Sequence, residues 1–437
     1  MQRYKNSNAS LCIYGKNRIL AVNDYPVYFL YNLALYIVWF FLGIAAIFHP
    51  KIRLFVQGRK QTFGILKTLI SKQDKVIWMH VASLGEFEQG LPLLEKLKSS
   101  YPDSKILVTF FSPSGYEVKK NTTAADVVTY LPWDTQKNVK RFLRIVNPRL
   151  ALFVKYEIWP NYLKFLAKRE TPTLLISAIF KKEKIYFKAY GGFMRKALRT
   201  FTHFFVQEAH SKSLLGSLGF DNVSVSGDTR FDRVSEILKQ DNQLSFMEDF
   251  IGTDLCFVGG STWPEGEKII TEFINTSQRP MKYVLAPHNI KESHIQNLKR
   301  SIQKKVILYS EIKERDLSGF EVLVVDTIGL LAKIYSYADM AYVGGGFATG
   351  LHNTLEPAVF GIPVVIGPEY KGFNEAEELV ALGGILVVGT AIEFSNTLDR
   401  LIMDREYLNQ IGQINAAYVG EKRGAGVQIM GYIRKLL

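Results

Sequence analysis

Cysteine is almost absent from this sequence. Among 437 residues there are two cysteines, Cys12 and Cys256, which lie far apart in unrelated contexts. Two isolated thiols exclude a disulfide framework and a cysteine-based metal cluster. The sequence therefore predicts a protein of a reducing compartment.

Several ligand-binding signatures are also missing. The sequence has no P-loop pattern, no recognisable nucleic-acid module, and no D-x-D motif after a predicted strand to hold a metal against a diphosphate. His352 has no second His, Cys or Asp at metal-ligand spacing, so we interpret it as a hydrogen-bonding loop histidine. We expect no metal site, no bound cofactor and no nucleic-acid partner.

Acidic residues are outnumbered by basic ones. The chain has 41 Asp and Glu against 54 Lys and Arg, a formal net charge of +13 and a pI of about 9.4. By itself, this excess predicts an acidic partner, which could be a nucleic acid, an anionic membrane or a phosphorylated substrate. At 437 residues the chain is too long for one ordinary core, so we predict two domains.

Charged residues are absent from the stretch Val27–Phe48, which is long enough to cross a bilayer as a helix. The stretch is rich in aromatic residues that favour the headgroup boundary, so a shallow interfacial anchor and a true span both remain open. A buried core helix is a third alternative, and a cleaved signal peptide is disfavoured because no small-x-small site follows. The next cations, Lys51, Arg53, Arg59 and Lys60, favour a cytoplasmic location for the rest of the chain.

Short apolar runs alternate with amphipathic helical patterns from Lys75 onward, which predicts an α/β fold with mostly parallel sheets. We predict a polar extension over residues 1–26, an anchor over 27–50, and two doubly wound domains over 51–238 and 239–437. Predicted strands cover 76–82, 105–111, 127–134, 149–155, 172–178 and 203–208, then 255–261, 283–289, 322–326, 340–346, 363–368 and 384–388. Two such domains leave a cleft between their sheet ends.

A glycine-rich turn follows the apolar run that ends at Val343. Its three consecutive glycines allow a close backbone approach, and a helix predicted to open near Asn353 offers unpaired N–H groups, so the turn is a candidate phosphate site. Glu356, predicted one turn inside that helix, can accept hydrogen bonds from a ribose diol. The alternative is an ordinary strand–loop–helix turn with a solvated Glu.

Polar residues at other predicted strand ends are candidates for catalysis. Glu86 follows the first strand as a candidate general base, although a carboxylate that merely stabilises a helix N-terminus fits equally well. Lys155 and Glu157 place a cation and a carboxylate after another strand. Arg230 could meet an anionic donor or could pair with Asp232.

Further along, Ser261 and the pair Pro287-His288 also follow predicted strands. A basic and aromatic segment over 180–199 predicts contact with a membrane surface, with a solvated helix face as the alternative.

Together these motifs resemble a known family, the 3-deoxy-D-manno-octulosonic acid (Kdo) transferases of lipopolysaccharide synthesis. The resemblance covers about residues 27–437 and depends on the order of seven motifs: S-x-G-E (83–86), S-P-S-G (112–115), L-P-W-D (131–134), E-I-W-P-N (157–161), G-D-T-R-F-D (227–232), G-G-S-T (259–262) and V-G-G-G…H-N-x-L-E-P (343–357). It implies a GT-B glycosyltransferase fold, with two Rossmann-like doubly wound domains facing a cleft and an N-terminal hydrophobic membrane anchor. It also implies inverting, metal-independent transfer of Kdo from CMP-Kdo to a lipid A precursor at the cytoplasmic face of the inner membrane.

The resemblance assigns roles position by position. Glu86 matches the family's catalytic base, and Arg230 matches a basic residue that stabilises the transition state. Lys155 stands where many members have an acid, so that role falls either to Glu157 or to the lysine itself.

The donor-site positions implied by the resemblance lie in the second half. The ribose segment is Asn353, Thr354, Leu355 and Glu356, and the remaining positions are Ser261, Pro287, His288, Ile328, Gly329, Leu330, Gly345 and Gly346. His288 replaces a usual arginine and Leu330 a frequent glutamate, so the side-chain contacts at these two positions stay open.

Two other functions share this predicted architecture. A nucleotide-sugar epimerase would need additional acid and base groups, and the N-terminal anchor counts against it. A membrane-associated nucleotide-binding module would have no need of Glu86 in a cleft. Release of CMP that depends on a lipid acceptor would separate the three functions. The oligomeric state is not predicted.

Overall fold

The computed structural model describes residues 25–347 and 350–437, so most of the predicted polar extension lies outside the described residues. Within these ranges the chain forms two parallel sheets of seven strands each. Both sheets are doubly wound, with helices on their two faces, as the alternating pattern predicts.

The first sheet has the strand order β3-β2-β1-β4-β5-β6-β7. Its strands are β1 (Lys75–Val81), β2 (Ser104–Phe110), β3 (Val127–Tyr130), β4 (Leu150–Val154), β5 (Thr173–Ala178), β6 (His203–Val206) and β7 (Val223–Val225). Its helices are α3 (Leu84–Ser100), α4 (Pro113–Lys119), α5 (Gln136–Val146), α6 (Pro160–Lys168), α7 (Gly192–Leu198) and α8 (Ala209–Ser217). The central strands β4 and β5 are buried along their whole length, because helices cover both faces of a parallel sheet.

The second sheet has the order β10-β11-β9-β8-β12-β13-β14. Its strands are β8 (Leu255–Thr262), β9 (Met281–Pro287), β10 (Val306–Leu308), β11 (Val322–Val324), β12 (Met340–Val343), β13 (Val364–Ile366) and β14 (Ile385–Val387). The helices from the junction onward are α9 (Thr229–Ile237), α10 (Ser245–Ile251), α11 (Pro264–Thr276), α12 (Glu292–Ser301), α13 (Leu331–Ile334), α14 (Leu355–Ala358), α15 (Asn374–Leu382), α16 (Ala391–Met403), α17 (Arg405–Glu421) and α18 (Ala425–Ile433).

Two short strands are missing from the sequence prediction. Both β7 and β10 are three residues long and stand at the edge of their sheet. A strand of this length gives too few residues for a periodic pattern, and its pairing with a neighbour is decided by the rest of the sheet.

The predicted helix near Asn353 is much shorter than expected. The helix α14 covers only Leu355–Ala358, so the prediction that Glu356 lies one turn inside a helix is wrong. Gly361, at a φ of 70°, takes the left-handed conformation that follows the end of this turn. A helix of four residues has a weak dipole, so the predicted phosphate site would depend on individual backbone N–H groups.

The end of the chain returns to the first sheet. Ile429, Met430 and Ile433 of α18 are buried in the same cluster as Met79 and Phe87. Asp232, on α9, accepts hydrogen bonds from the N–H groups of Gly424 and Gly426 at 2.8 and 2.7 Å, which fixes the start of α18. The chain therefore crosses between the two halves twice, which the alternation of strands and helices did not indicate.

Two helices precede the first strand, namely α1 (Tyr25–Phe48) and α2 (Pro50–Leu69). Among the described residues, the segment Pro26–Phe48 is the one helix long and apolar enough to cross a membrane by length and composition. The amphipathic α2 buries Val56, Thr62 and Leu66 against the first domain. The apolar N-terminal helix predicted from the sequence is thus present.

Candidate active site

The first candidate site lies where β1 and β4 are neighbours. From this pair the chain winds outward in both directions, and such a switch point leaves a crevice at the carboxyl ends of the strands. Glu86 follows β1, whereas Lys155 and Glu157 follow β4. The fold therefore brings together three of the residues predicted to carry catalysis.

Glu86 lies in the first turn of α3 with 8% of its surface exposed. Its Oε2 accepts a hydrogen bond from the N–H of Ala82 at 2.5 Å. Burial and then the negative charge of Glu157 raise the pKa of Glu86 to about 7, against the opposing effects of the Ala82 bond and Lys155. A carboxylate with this pKa can accept a proton near neutral pH, as a general base must.

Glu157 is held by two rings, those of Trp159 and His80. Its Oε2 accepts a hydrogen bond from Trp159 Nε1 at 2.8 Å and lies 3.0 Å from His80 Nε2. His80 is fully buried, and its Nδ1 lies 3.0 Å from the carbonyl oxygen of Thr109. Sequence reasoning did not select His80, and its only signal is a polar residue inside the apolar strand β1.

Lys155 takes a left-handed backbone conformation, with a φ of 65°, directly after β4. This conformation is uncommon for a residue with a side chain and is found preferentially at functional sites. Its positive charge lowers the pKa values of both Glu86 and Glu375. Lys155 therefore lies within electrostatic reach of a carboxylate from each half of the molecule.

Arg230 joins the two halves. Its Nε donates to Asp228 Oδ2 at 2.8 Å, and its Nη1 and Nη2 donate to the two oxygens of Glu375 at 2.7 and 3.1 Å. The alternative of a structural pairing with Asp232 is wrong, because that carboxylate caps α18. Burial raises the pKa of Tyr156, the charge of Glu86 raises it further and the charge of Arg230 lowers it. Glu86 and Arg230 therefore both lie within electrostatic reach of Tyr156.

The second candidate site lies at the corresponding switch point of the second sheet, between β8 and β12. Ser261, near the end of β8, has a left-handed φ of 49°. Gly345 has a φ of 92°, and a side chain on Gly346 would come within 2.8 Å of the backbone nitrogen of Gly367. These two glycines are thus required by the turn itself, which explains part of the pattern without a ligand.

Three rings stack beside this turn. Trp263 Nε1 donates to His352 Nε2 at 3.0 Å, and the two rings are nearly parallel at 17°. The imidazole of His288 packs against both, with centroid distances of 4.6 Å to Trp263 and 4.7 Å to His352. Burial and the neighbouring His288 lower the pKa of His352, so it acts as the hydrogen-bonding loop histidine predicted from the sequence.

The remaining donor-site candidates lie at the same edge of the second sheet. Pro287 ends β9, and Ile328, Gly329 and Leu330 follow β11, with 83% of the Ile328 surface exposed.

The ribose segment lies next to the first half of the molecule. Asn353 Nδ2 donates to Glu356 Oε1 at 3.0 Å, and Asn353 Oδ1 accepts from the N–H of Leu355. Burial raises the pKa of Glu356, and the charges of Glu88 on α3 and Arg233 on α9 also act on it. The predicted ribose segment therefore lies within electrostatic reach of α3, the helix that carries Glu86.

Solved structures with a similar fold define the class. UDP-GlcNAc 2-epimerase from Neisseria meningitidis aligns with a TM-score of 0.58 at 18% identity, over 83% of this chain and 100% of that one. MurG from Acinetobacter baumannii aligns with a TM-score of 0.53 at 12% identity, over 83% and 99%. At these identities the similarity shows the fold alone, and it confirms the predicted GT-B architecture.

Sequence comparisons find similarity to one family of enzymes. Residues 57–233 match the family model of 3-deoxy-D-manno-octulosonic-acid transferase (kdotransferase). The 3-deoxy-D-manno-octulosonic acid transferase of Chlamydophila psittaci is 29% identical over 375 residues, which are 81% of this chain and 84% of that protein. The protein of the same name from Haemophilus influenzae is 24% identical over 422 residues, or 91% and 95% of the two chains. The chain is thus similar to the Kdo transferases over most of its length, and the resemblance predicted from its motifs is confirmed.

Proposed function

We propose that the protein transfers Kdo from CMP-Kdo to a lipid A precursor, with inversion and without a metal ion, at the cytoplasmic face of the inner membrane. One observation carries the proposal. Glu86 is buried at the switch point of the first sheet, and its pKa is raised to about 7. Glu88, on the same helix, is close enough for its charge to raise the pKa of Glu356 in the ribose segment. A base on one side of the cleft and a nucleotide segment on the other is the arrangement that a glycosyl transfer needs.

The base acts on the acceptor. A sugar hydroxyl is a poor nucleophile until its proton is removed, and Glu86 takes that proton as the acceptor oxygen forms its bond to the anomeric carbon of Kdo. The bond from that carbon to the phosphate oxygen breaks with its electron pair, and CMP leaves. Attack from the face opposite to CMP gives inversion.

The departing phosphate gains negative charge, which fixed positive groups must stabilise. Arg230 is already bound by Asp228 and Glu375, so its charge is largely compensated. We therefore assign more of the stabilisation of the departing phosphate to Lys155, which lies directly after β4 in an uncommon left-handed backbone conformation. Arg230 then contributes by holding α9 against α15 and by its remaining charge.

The donor binds at the edge of the second sheet. Glu356 is the acceptor for the ribose hydroxyls, oriented by its bond with Asn353. The other positions assigned to donor binding are Ser261, Pro287, His288, Ile328, Gly329, Leu330, Gly345, Gly346, Thr354 and Leu355. His288 contacts the donor through a ring that is held by stacking, where a guanidinium would reach a phosphate directly.

The reaction is tested with the purified full-length protein, CMP-Kdo and a tetra-acylated lipid A precursor. We expect a lipid product heavier by one or more Kdo residues, and CMP release that requires the lipid. Activity should survive EDTA, and a loss that Mg²⁺ restores would overturn metal independence. Conversion of a nucleotide sugar without any acceptor would favour an epimerase, and binding without turnover would favour a nucleotide-binding module.

A further inference from the structure

The apolar helix α1 is docked on the first domain over part of its length. Tyr28 Oη donates to Asn161 Oδ1 at 2.5 Å, and Tyr31 Oη donates to Asp134 Oδ2 at 2.6 Å. Trp133 Nε1 donates to the carbonyl oxygen of Leu35 at 2.9 Å. The helix is therefore held by directional hydrogen bonds as well as by apolar packing.

The groups that hold α1 belong to a buried network. Asp134 and Asn161 are 1% and 0% exposed. Asp134 also accepts from the N–H groups of Asn161 and Tyr162 at the start of α6, and Asn161 Nδ2 donates to Asn32 Oδ1 at 3.1 Å. These residues come from the motifs L-P-W-D and E-I-W-P-N, and the proposed reaction gives Trp133, Asp134 and Asn161 no role. Buried polar groups with several partners fix one arrangement of the elements that they join.

The opposite side of α1 is open. Ten large apolar residues on it are between 43% and 77% exposed: Phe29, Leu30, Leu33, Tyr36, Ile37, Phe40, Phe41, Ile44, Ile47 and Phe48. A continuous apolar surface of this size marks a contact with a protein or a membrane.

The charge around this apolar surface distinguishes a membrane from a second copy of the protein as its partner. From Tyr25 to Leu69 the sequence has no Asp or Glu, and Lys51, Arg53, Lys60 and Lys67 are exposed there. Two copies of such a surface would repel each other, whereas the phosphates of anionic lipids attract it.

The docked length of α1 argues against a transmembrane orientation. The contacts with the first domain run from Tyr28 to Trp39, whose ring lies 5.4 Å from that of Trp133. The twelve residues from Tyr28 to Trp39 cover about 16 Å of helix, roughly half of a hydrocarbon core that is about 30 Å thick. A spanning α1 would carry Asp134, Asn161 and the irregular strand ends of the domain into hydrocarbon, where their polar groups would be costly.

We propose that α1 lies in the plane of an anionic membrane, with its exposed side in the lipid and its docked side on the carboxyl edge of the first sheet. The residues that hold it follow β3 and β4, so they lie at the same edge as Glu86. This inference rests on the proposed membrane location but not on the identity of the transferred sugar.

The orientation brings the catalytic crevice to the membrane surface. Ring contacts lead from Trp39 to Trp133 at 5.4 Å, then to Phe111 at 6.3 Å and to Trp159 at 5.0 Å. Trp159 in turn binds Glu157 beside the candidate base. An acceptor sugar at the headgroup level can therefore reach the crevice while its acyl chains stay in the bilayer.

The basic and aromatic segment 180–199 adjoins the same surface in part. Phe193 packs on Tyr31 of α1 with a centroid distance of 5.3 Å. Tyr186 of this segment is only 5% exposed and belongs to the core of the first domain, so its ring does not contribute to this surface. Ile185, which follows the exposed Lys184 in sequence, is 46% exposed, and Tyr190 is 77% exposed. This segment extends the surface beside α1 with a few side chains.

Depth measurements test the orientation in the full-length protein bound to vesicles that contain anionic lipid. Single nitroxide labels replace Phe29, Leu33, Phe40, Ile44 and Phe48 in a Cys12→Ser background, since Cys256 is buried. We expect all five labels at a similar shallow depth, about 5–10 Å below the phosphates. A depth that passes through the bilayer centre between residues 29 and 48 would mean a span, and labels shielded from both lipid and water would mean a second copy. Either result overturns the proposal.

A charge variant separates the lipid contact from a general effect of net charge. Lys51→Gln with Lys60→Gln should weaken binding to anionic vesicles about fivefold for each cation, with the difference lost at high salt. Lys239→Gln with Lys313→Gln removes the same charge from other exposed positions and should change binding little. Equal effects of the two pairs would contradict the assigned surface. Neither label depth nor vesicle binding depends on turnover. The proposed orientation of α1 can therefore be wrong while the proposed reaction is right, and the proposed reaction can be wrong while the orientation is right.

Discussion

The two sheets carry different kinds of residue at their equivalent switch points. In the first sheet, β1 and β4 are followed by charged side chains, and the negative charge of Glu157 helps to raise the pKa of Glu86. In the second sheet, β8 and β12 end in Ser261 and a glycine turn, with three rings stacked beside them. The fold offers the same crevice twice, and the side chains make the two crevices different.

This difference suggests that the two crevices have different functions. A crevice with a buried carboxylate of raised pKa is suited to moving a proton, whereas a crevice of backbone groups and flat rings is suited to holding a ligand without reacting with it. On this view, changes in the first crevice should alter turnover and changes in the second should alter binding.

The largest effect is expected from Glu86→Gln. This change keeps the shape and removes the basic group, so turnover should fall by about 10² or more with CMP-Kdo binding retained. Glu95→Gln, an exposed position on the same helix, is the matched control. Steady-state kinetics and calorimetry of donor binding give the two quantities. If Glu86→Gln weakens binding and leaves turnover near normal, the division between the crevices is wrong.

Glu356→Ala should act on binding. Loss of hydrogen bonds to a charged group should weaken CMP affinity by about 1.5–3 kcal/mol, with a smaller effect on turnover at saturating donor. Glu406→Ala, on the exposed side of α17, provides the control. Calorimetry with CMP measures the change. Unchanged affinity would return Glu356 to a structural role, in which it accepts only the bond from Asn353.

The smallest effect is a shift of pH dependence, and it sharpens the role of Glu157. With the pKa of Glu86 raised to about 7, kcat/KM should rise with pH through that region, because the ionised carboxylate is the active form. The negative charge of Glu157 contributes to this raised pKa, so Glu157→Gln should move the rising limb to lower pH. An unmoved limb would show that the two carboxylates do not interact in the working enzyme.

The same shift has a consequence for stability with the opposite sign. Because the folded pKa of Glu86 is above its unfolded value of 4.5, the folded state holds the proton more tightly between the two. The contribution of this group to stability is full below the unfolded pKa and is lost as pH rises through about 7. Glu86→Gln should therefore flatten the dependence of the unfolding free energy on pH over this range.

The sequence by itself determined the class of fold and most of the residues that reach the two crevices. Apolar runs of the right length predict buried parallel strands, and polar residues directly after such strands must come to one edge of the sheet, since parallel strands all end there. That is why Glu86, Lys155 and Glu157 could be selected, and why Ser261 and Gly345 could be placed at the other edge.

Only the tertiary structure decided which of these residues touch and what they are bound to. His80 became a partner of Glu157 because β1 pairs with β4, and Arg230 became a bridge to Glu375 because the two halves meet at α9 and α15. The docking of α1 depends on Asp134 and Asn161, which lie about a hundred residues or more from the tyrosines that they bind. Composition and periodicity describe one segment at a time, whereas these contacts join segments that are distant in the chain.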